Sequence, residues 1–74
     1  MSTYADKLTA GLEKQFGAEW WLVGAYPHHL QDYARQTTEK GRQRVRAAME
    51  AQTRQLAHNM IQAGLLGGVI RDVE

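Results

Sequence analysis

Seventy-four residues carrying a net charge of +1 make one small domain, of a size that buries little surface on folding. With no cysteine, disulfides and thiolate chemistry are excluded. No apolar run approaches the ~18 residues that a membrane helix needs. Asp6 and Lys7 follow Met1 too closely for the apolar core of a signal peptide, so a cytoplasmic chain is expected.

In chain order, Met1 and Ser2 read as a frayed end. A first helix is expected over about residues 3–16. The Thr3 hydroxyl can cap it and Asp6 can answer, an imperfect capping box that also suits the helix dipole. Tyr4, Ala5, Leu8, Leu12 and Phe16 share one face, Gly11 weakens the helix, and Gly17 is placed to end it.

A connector follows over residues 17–26. It holds both tryptophans, Trp20 and Trp21, side by side. Adjacent side chains diverge by about 100° in a helix and by 180° in a strand, so burying both tryptophans in so small a protein is difficult. An exposed Trp beside Tyr26 would be a contact for a partner; the alternative is that both plug a junction or a subunit interface. Periodicity does not choose between a helical turn and a short strand here.

From Pro27 to Ala63 the spacing predicts one long amphipathic helix. Leu30, Ala34, Thr37, Gly41, Val45, Ala48, Gln52, Leu56, Asn59 and Ala63 recur at steps of three and four, an eleven-residue repeat whose stripe barely drifts. Met49 and Met60 broaden it. Pro27 suits the first helical position, and Gly64 a left-handed C-cap. Such a helix would span roughly 55 Å, against a radius of gyration of about 11 Å for a compact chain of this length. Either the helix breaks, with Thr37–Thr38 or Gly41 as the weak points, or a second copy covers the stripe. Thr37 precedes Lys40 by three residues and Thr38 precedes Gly41, so neither makes a capping box, and the continuous helix is the expectation. Self-association through Leu30, Ala34, Gly41, Val45, Ala48, Met49, Leu56 and Met60 follows, the small residues allowing close helix approach.

His28 and Asp32 have a spacing that a metal could use, but no third ligand is evident and no metal site is expected. His58 reads as a solvated side chain. Charge is uneven: residues 35–54 hold six basic and two acidic residues, +4, while the remainder sums to −3. In the run Lys40, Arg42, Arg44, Arg46, the carboxylates of Glu39 and Glu50 lie within helical reach of Arg42 and Arg46. Lys40 and Arg44 have no acidic residue three or four away; a solvated charged face is the simpler reading, and they are the pair placed to meet an outside anion or an acidic partner. Beyond Gly64 the chain turns apolar again; Gly67–Gly68 marks a turn, and Val69, Ile70 and Val73 suit a short strand or a cap over the helix end.

The expected fold is therefore all-α: a single domain over 1–74 with a short N-terminal helix and one long amphipathic helix, a helical hairpin assembling as a homodimer or higher oligomer. No catalytic set appears. The only serine is Ser2, and Gly64, Gly67 and Gly68 follow a helix, the wrong context for a phosphate loop. No cofactor is expected. The expected role is a non-enzymatic interaction protein that binds and modulates or inhibits another protein, as small bacterial or phage regulators do, some of them against host defence. Trp20, Trp21, Tyr26, Lys40, Arg42, Arg44 and Arg46 would carry the contact. One alternative is nucleic-acid binding by the basic middle of the long helix, in a helix-turn-helix-like arrangement if that helix breaks near Thr38. Another is a small anionic ligand, such as a nucleotide, held between subunits.

Overall fold

The computed structural model describes residues 3–67. Within them the chain is all-helical: α1 (Tyr4–Phe16), a one-turn 3-10 helix (Trp20–Leu22), α2 (Pro27–Arg35) and α3 (Glu39–Gln62), with no strand. The expectations for Met1 and Ser2, and for Gly68, Val69, Ile70 and Val73, lie outside the described residues.

The ends of the helices follow local chemistry. Thr3 Oγ1 accepts from the Asp6 N–H at 3.1 Å, and the Asp6 carboxylate accepts from the Thr3 N–H at 3.3 Å. The reciprocal box thus forms with Asp in place of the usual Glu. Gly17, at φ +88°, closes α1 by donating to the Glu13 carbonyl. Pro27 opens α2, as expected. At the far end of α3, Leu65 N–H donates to the Met60 carbonyl and Gly64 N–H to that of Ile61. With Gly64 at φ +83° this is a Schellman motif.

The continuous helix over 27–63 is corrected. The chain breaks at residues 36–38, with Gln36 and Thr38 both extended. A reciprocal box is not required for a cap: the Thr38 hydroxyl alone accepts from the Gly41 N–H at 3.0 Å, which satisfies one of the free donors of the first turn. Gln36 folds back, its amide donating to the Asp32 carbonyl. A Cβ on Gly41 would run into the Gln36 amide oxygen, so the glycine leaves room for the fold-back. The helix that remains has 24 residues, about 36 Å by its rise, matching the molecule's long axis of 38 Å.

α3 is the spine. α1, the 3-10 turn and α2 all pack on it, whereas α1 and α2 do not pack on one another among the described residues. The core is Leu8, Leu12, Trp20, Trp21, Met49 and Ala57, with Ala25, Tyr33, Val45, Ile61 and Leu66 partly buried against it. On α3 the inward residues are Gly41, Val45, Met49, Thr53, Ala57 and Ile61, a row at steps of four. Each step turns about 40° round the axis, so the row winds through roughly 200° from end to end. The expected eleven-residue stripe is straight and therefore coincides with this row only near Gly41 and Val45. The winding has a cause: α2 covers one side of α3 near its start, and α1 another side near its end.

Candidate interaction surfaces

Both tryptophans are inside, Trp20 at 1% and Trp21 at 7% exposure, which corrects their assignment to a partner contact. A 3-10 turn rotates consecutive side chains by about 120°, and there is a neighbour on each side. The Arg54 guanidinium lies 5.9 Å from the Trp20 ring. Trp21 sits between Tyr33 of α2, 5.6 Å between ring centres, and Arg46 of α3, 4.9 Å from the ring. Neither indole is left to meet a partner.

A single hydroxyl fixes this turn to the spine. Thr53 Oγ1, 1% exposed, donates to the Trp21 carbonyl at 2.8 Å and accepts from the Gly24 N–H at 3.0 Å. The backbones approach closely there, and a Cβ on Gly24 would stand 2.7 Å from Thr53 Cα. Tyr26 is half-exposed; its hydroxyl accepts from the Gln52 amide at 2.9 Å and its ring stacks on His28. His28 and His29 are adjacent, 4.3 Å between ring centres, but no three potential ligands gather to hold a metal ion among the described residues. His58 is not solvated as expected: its Nδ1 and the Tyr4 hydroxyl are 2.8 Å apart, and the half-buried ring meets Tyr4 edge-on.

The basic run divides into two sets. Arg42 pairs with Glu39 at 3.2 Å and Arg46 with Glu50 at 3.8 Å. With Tyr33 and Gln43 these four line a polar groove of about 260 Å³ beside α2. Lys40 and Arg44 lie exposed on the opposite flank, with no carboxylate partner among the described residues. Ala47 and Ala51 continue the same exposed face toward the C-terminus, so nothing bulky shields the two cations.

The residues expected to self-associate do not share one surface. Met49 is fully buried in the chain's own core, Gly41 is enclosed by Gln36 and Thr38, and Val45 packs inward. Ala34 and Ala48 are exposed, and Leu30 is half-exposed on α2. This corrects the single stripe; the cause is the break, which turns Leu30 and Ala34 away from the line of α3. Leu56 and Met60 fall together elsewhere. With Leu12, Phe16, Val23, Thr53, Ala57 and Leu66 they line an apolar cavity of about 70 Å³. At its mouth Phe16, Val23 and Leu56 are 43%, 51% and 38% exposed. The sequence puts Phe16 on the shared face of the first helix and Val23 in the connector. The signals for this face were Leu56 and Met60 on the expected stripe and the apolar run that contains Val23. Leu66 joins it at φ +57°, a left-handed conformation that costs a non-glycine residue about 1–2 kcal/mol and aims its side chain into the groove.

Among the described residues no helix is long and apolar enough to cross a membrane. No family model matches this sequence, and neither a curated protein nor a solved structure shows significant similarity to it.

Proposed function

We propose that this chain is a non-enzymatic interaction protein that associates with itself and binds an acidic surface of another protein through the start of α3, thereby modulating it. The observation that carries this reading is the exposed pair Lys40 and Arg44, the two cations of the 40–46 run without a carboxylate partner where Arg42 and Arg46 have theirs. Charges held on a stable helix next to a capped end lose little freedom on binding, and complementary charge chiefly sets specificity and encounter rate. Arg42 and Arg46 are dropped from the primary contact, since a partner would have to displace Glu39 and Glu50. The same internal pairing leaves little free charge in the polar groove, so capture of a small anionic ligand gains no support from it.

The test is affinity capture with quantitative mass spectrometry from the protein's own cells, comparing the unaltered chain with a Lys40→Glu, Arg44→Glu double variant. An acidic protein retained by the first and lost by the second is expected. The same proteins retained equally by both would refute the reading.

Nucleic-acid binding stays as the second reading because the break at residues 36–38 creates a helix, short turn and second helix in succession. In a helix-turn-helix the start of the second helix meets the groove, and here that segment carries Lys40 and Arg44. Fluorescence anisotropy with a 20-base-pair duplex separates the two readings. If Arg35, Lys40 and Arg44 each neutralise one phosphate, the log–log salt slope should be about −2.7. Binding with that slope would favour this reading over the acidic protein.

A further inference from the structure

We propose that the apolar face at the C-terminal half of α3, built from Phe16, Val23, Leu56, Met60 and Leu66, receives the same face of a second copy of this chain across a two-fold axis. The inference gives the self-association in the proposed function its surface, and it is independent of the basic pair Lys40 and Arg44.

Three observations select a second copy as the occupant. The first is charge. In a two-fold contact the residues near the axis meet their own counterparts, so a charge of either sign there would repel itself. The cavity lining carries none, and the residues three and four positions either side of Leu56 on α3 are Gln52, Thr53, Asn59 and Met60, all uncharged. Of the charges on α3, Glu39, Lys40, Arg42, Arg44, Arg46 and Glu50 precede this segment, and Arg54, two positions from Leu56, points round the helix toward Thr9 and the Trp20 ring. An identical neutral lining meets no charge penalty there.

The second observation is shape. The face has both a hollow, floored by Leu12, Ala57 and Met60, and projecting side chains at its mouth in Phe16, Val23 and Leu56. A two-fold operation sets the projections of each copy against the hollow of the other. Leu66 is held in its strained conformation on this same rim.

The third is the size of the chain. Domains below about 70–80 residues commonly add a disulfide, a metal or oligomerisation to a small core. This chain has no cysteine and gathers no metal-binding group among the described residues. Among the described residues the buried hydrophobics are Leu8, Leu12, Trp20, Trp21, Met49 and Ala57, a short set. A two-fold partner extends that core at an apolar cavity that opens to solvent. A standard interface of about 800 Å² per partner would take roughly a sixth of the 5099 Å² of exposed surface.

The experiment is sedimentation velocity between about 1 and 300 µM, a range that brackets weak to moderate association, on the full chain and on two single variants, Leu56→Glu and Leu56→Lys. The unaltered chain should run at twice its 8.4 kDa mass at the upper concentrations. Each variant should dissociate on the order of 100-fold more readily, because like charges placed face to face oppose association strongly. Mixed in equal amounts, Leu56→Glu and Leu56→Lys should recover the dimer, which no other occupant of the face would produce. Leu56 is already half-exposed, and helical circular dichroism confirms that each variant folds. Lys40→Glu, Arg44→Glu should leave the dimer intact, so loss of the acidic partner and loss of the dimer are read separately. A monomer at every concentration overturns the proposal, including a monomer whose face excludes a hydrophobic dye, which would point to an intramolecular cover. A dimer unaffected by both Leu56 variants also overturns it, and places the interface elsewhere.

Discussion

Replacing Thr53 by valine tests the fastening of the 3-10 turn to α3 with almost no change of volume. The hydroxyl donates to the Trp21 carbonyl at 2.8 Å and accepts from the Gly24 N–H at 3.0 Å. Valine keeps the shape and deletes both bonds, leaving a carbonyl and an amide with no partner in a site where the side chain is 1% exposed. An unsatisfied buried group costs about 1–3 kcal/mol; since Gly24 is only half-buried, the pair should cost about 2–4 kcal/mol. Stabilities of 0.05–0.15 kcal/mol per residue give a chain of this length about 4–11 kcal/mol in all. At roughly 4–8 °C per kcal/mol, Tm should fall by at least about 8 °C. Thr53→Ser is the control: it retains both bonds, and losing one methyl should cost only about 1 kcal/mol. Urea and thermal unfolding, followed by circular dichroism and by the fluorescence of the nearby tryptophans, measure both. A Thr53→Val protein within 0.5 kcal/mol of the unaltered chain, or a serine variant as weak as the valine one, would refute the reasoning.

Two glycines should respond in opposite directions to alanine. Gly24→Ala sets a Cβ against Thr53 backbone at 2.7 Å, which cannot yield without moving the turn, and should destabilise by about 1–3 kcal/mol. Gly41→Ala meets first the flexible end of Gln36, which can swing away, so the gain in helix propensity of up to about 1 kcal/mol should leave it neutral or more stable. Differential scanning calorimetry distinguishes the pair, and equal losses at both sites would contradict it. Thr38→Ala should cost about 1 kcal/mol through loss of the cap, with the loss of helical signal confined to the first turn of α3; amide exchange at Lys40 and Gly41 reports it.

Helix ends were largely legible in the amino-acid sequence because they depend on a few adjacent residues. Thr3 with Asp6, Gly17, Pro27 and Gly64 all act where their chemistry places them. Thr38 acts too, but its signal is a lone hydroxyl, and demanding a reciprocal partner at Gly41 hid it. The burial of both tryptophans was not legible for a different reason. It depends on a 3-10 turn fastened by Thr53, a residue 32 positions later than Trp21, and on Tyr33 and Arg46 arriving from two different helices. The winding row on α3 was obscured in the same way. A straight stripe presumes one neighbour along the whole helix, whereas α3 meets Trp21 at Arg46 and α1 at Arg54 and His58. For the surfaces, the split between Arg42 and Arg46 on one side and Lys40 and Arg44 on the other followed from helical spacing alone. The apolar face did not, because Phe16, Val23, Leu56 and Leu66 meet only in the folded chain.

The separation of the two surfaces on α3 has a consequence for stoichiometry. Lys40 and Leu56 lie sixteen positions apart, which turns about 160° round the axis and advances about 24 Å along it. Two copies joined at their Leu56 faces would therefore hold their basic ends outward and away from each other. Such a particle is bivalent in the manner of a bridge and unlike a clamp: it would tether two acidic partners, one at each end, and could not close both ends on one small target. Ratios of two chains to two partners, and partner cross-linking that peaks near equivalence and falls in excess, are the behaviour this geometry dictates.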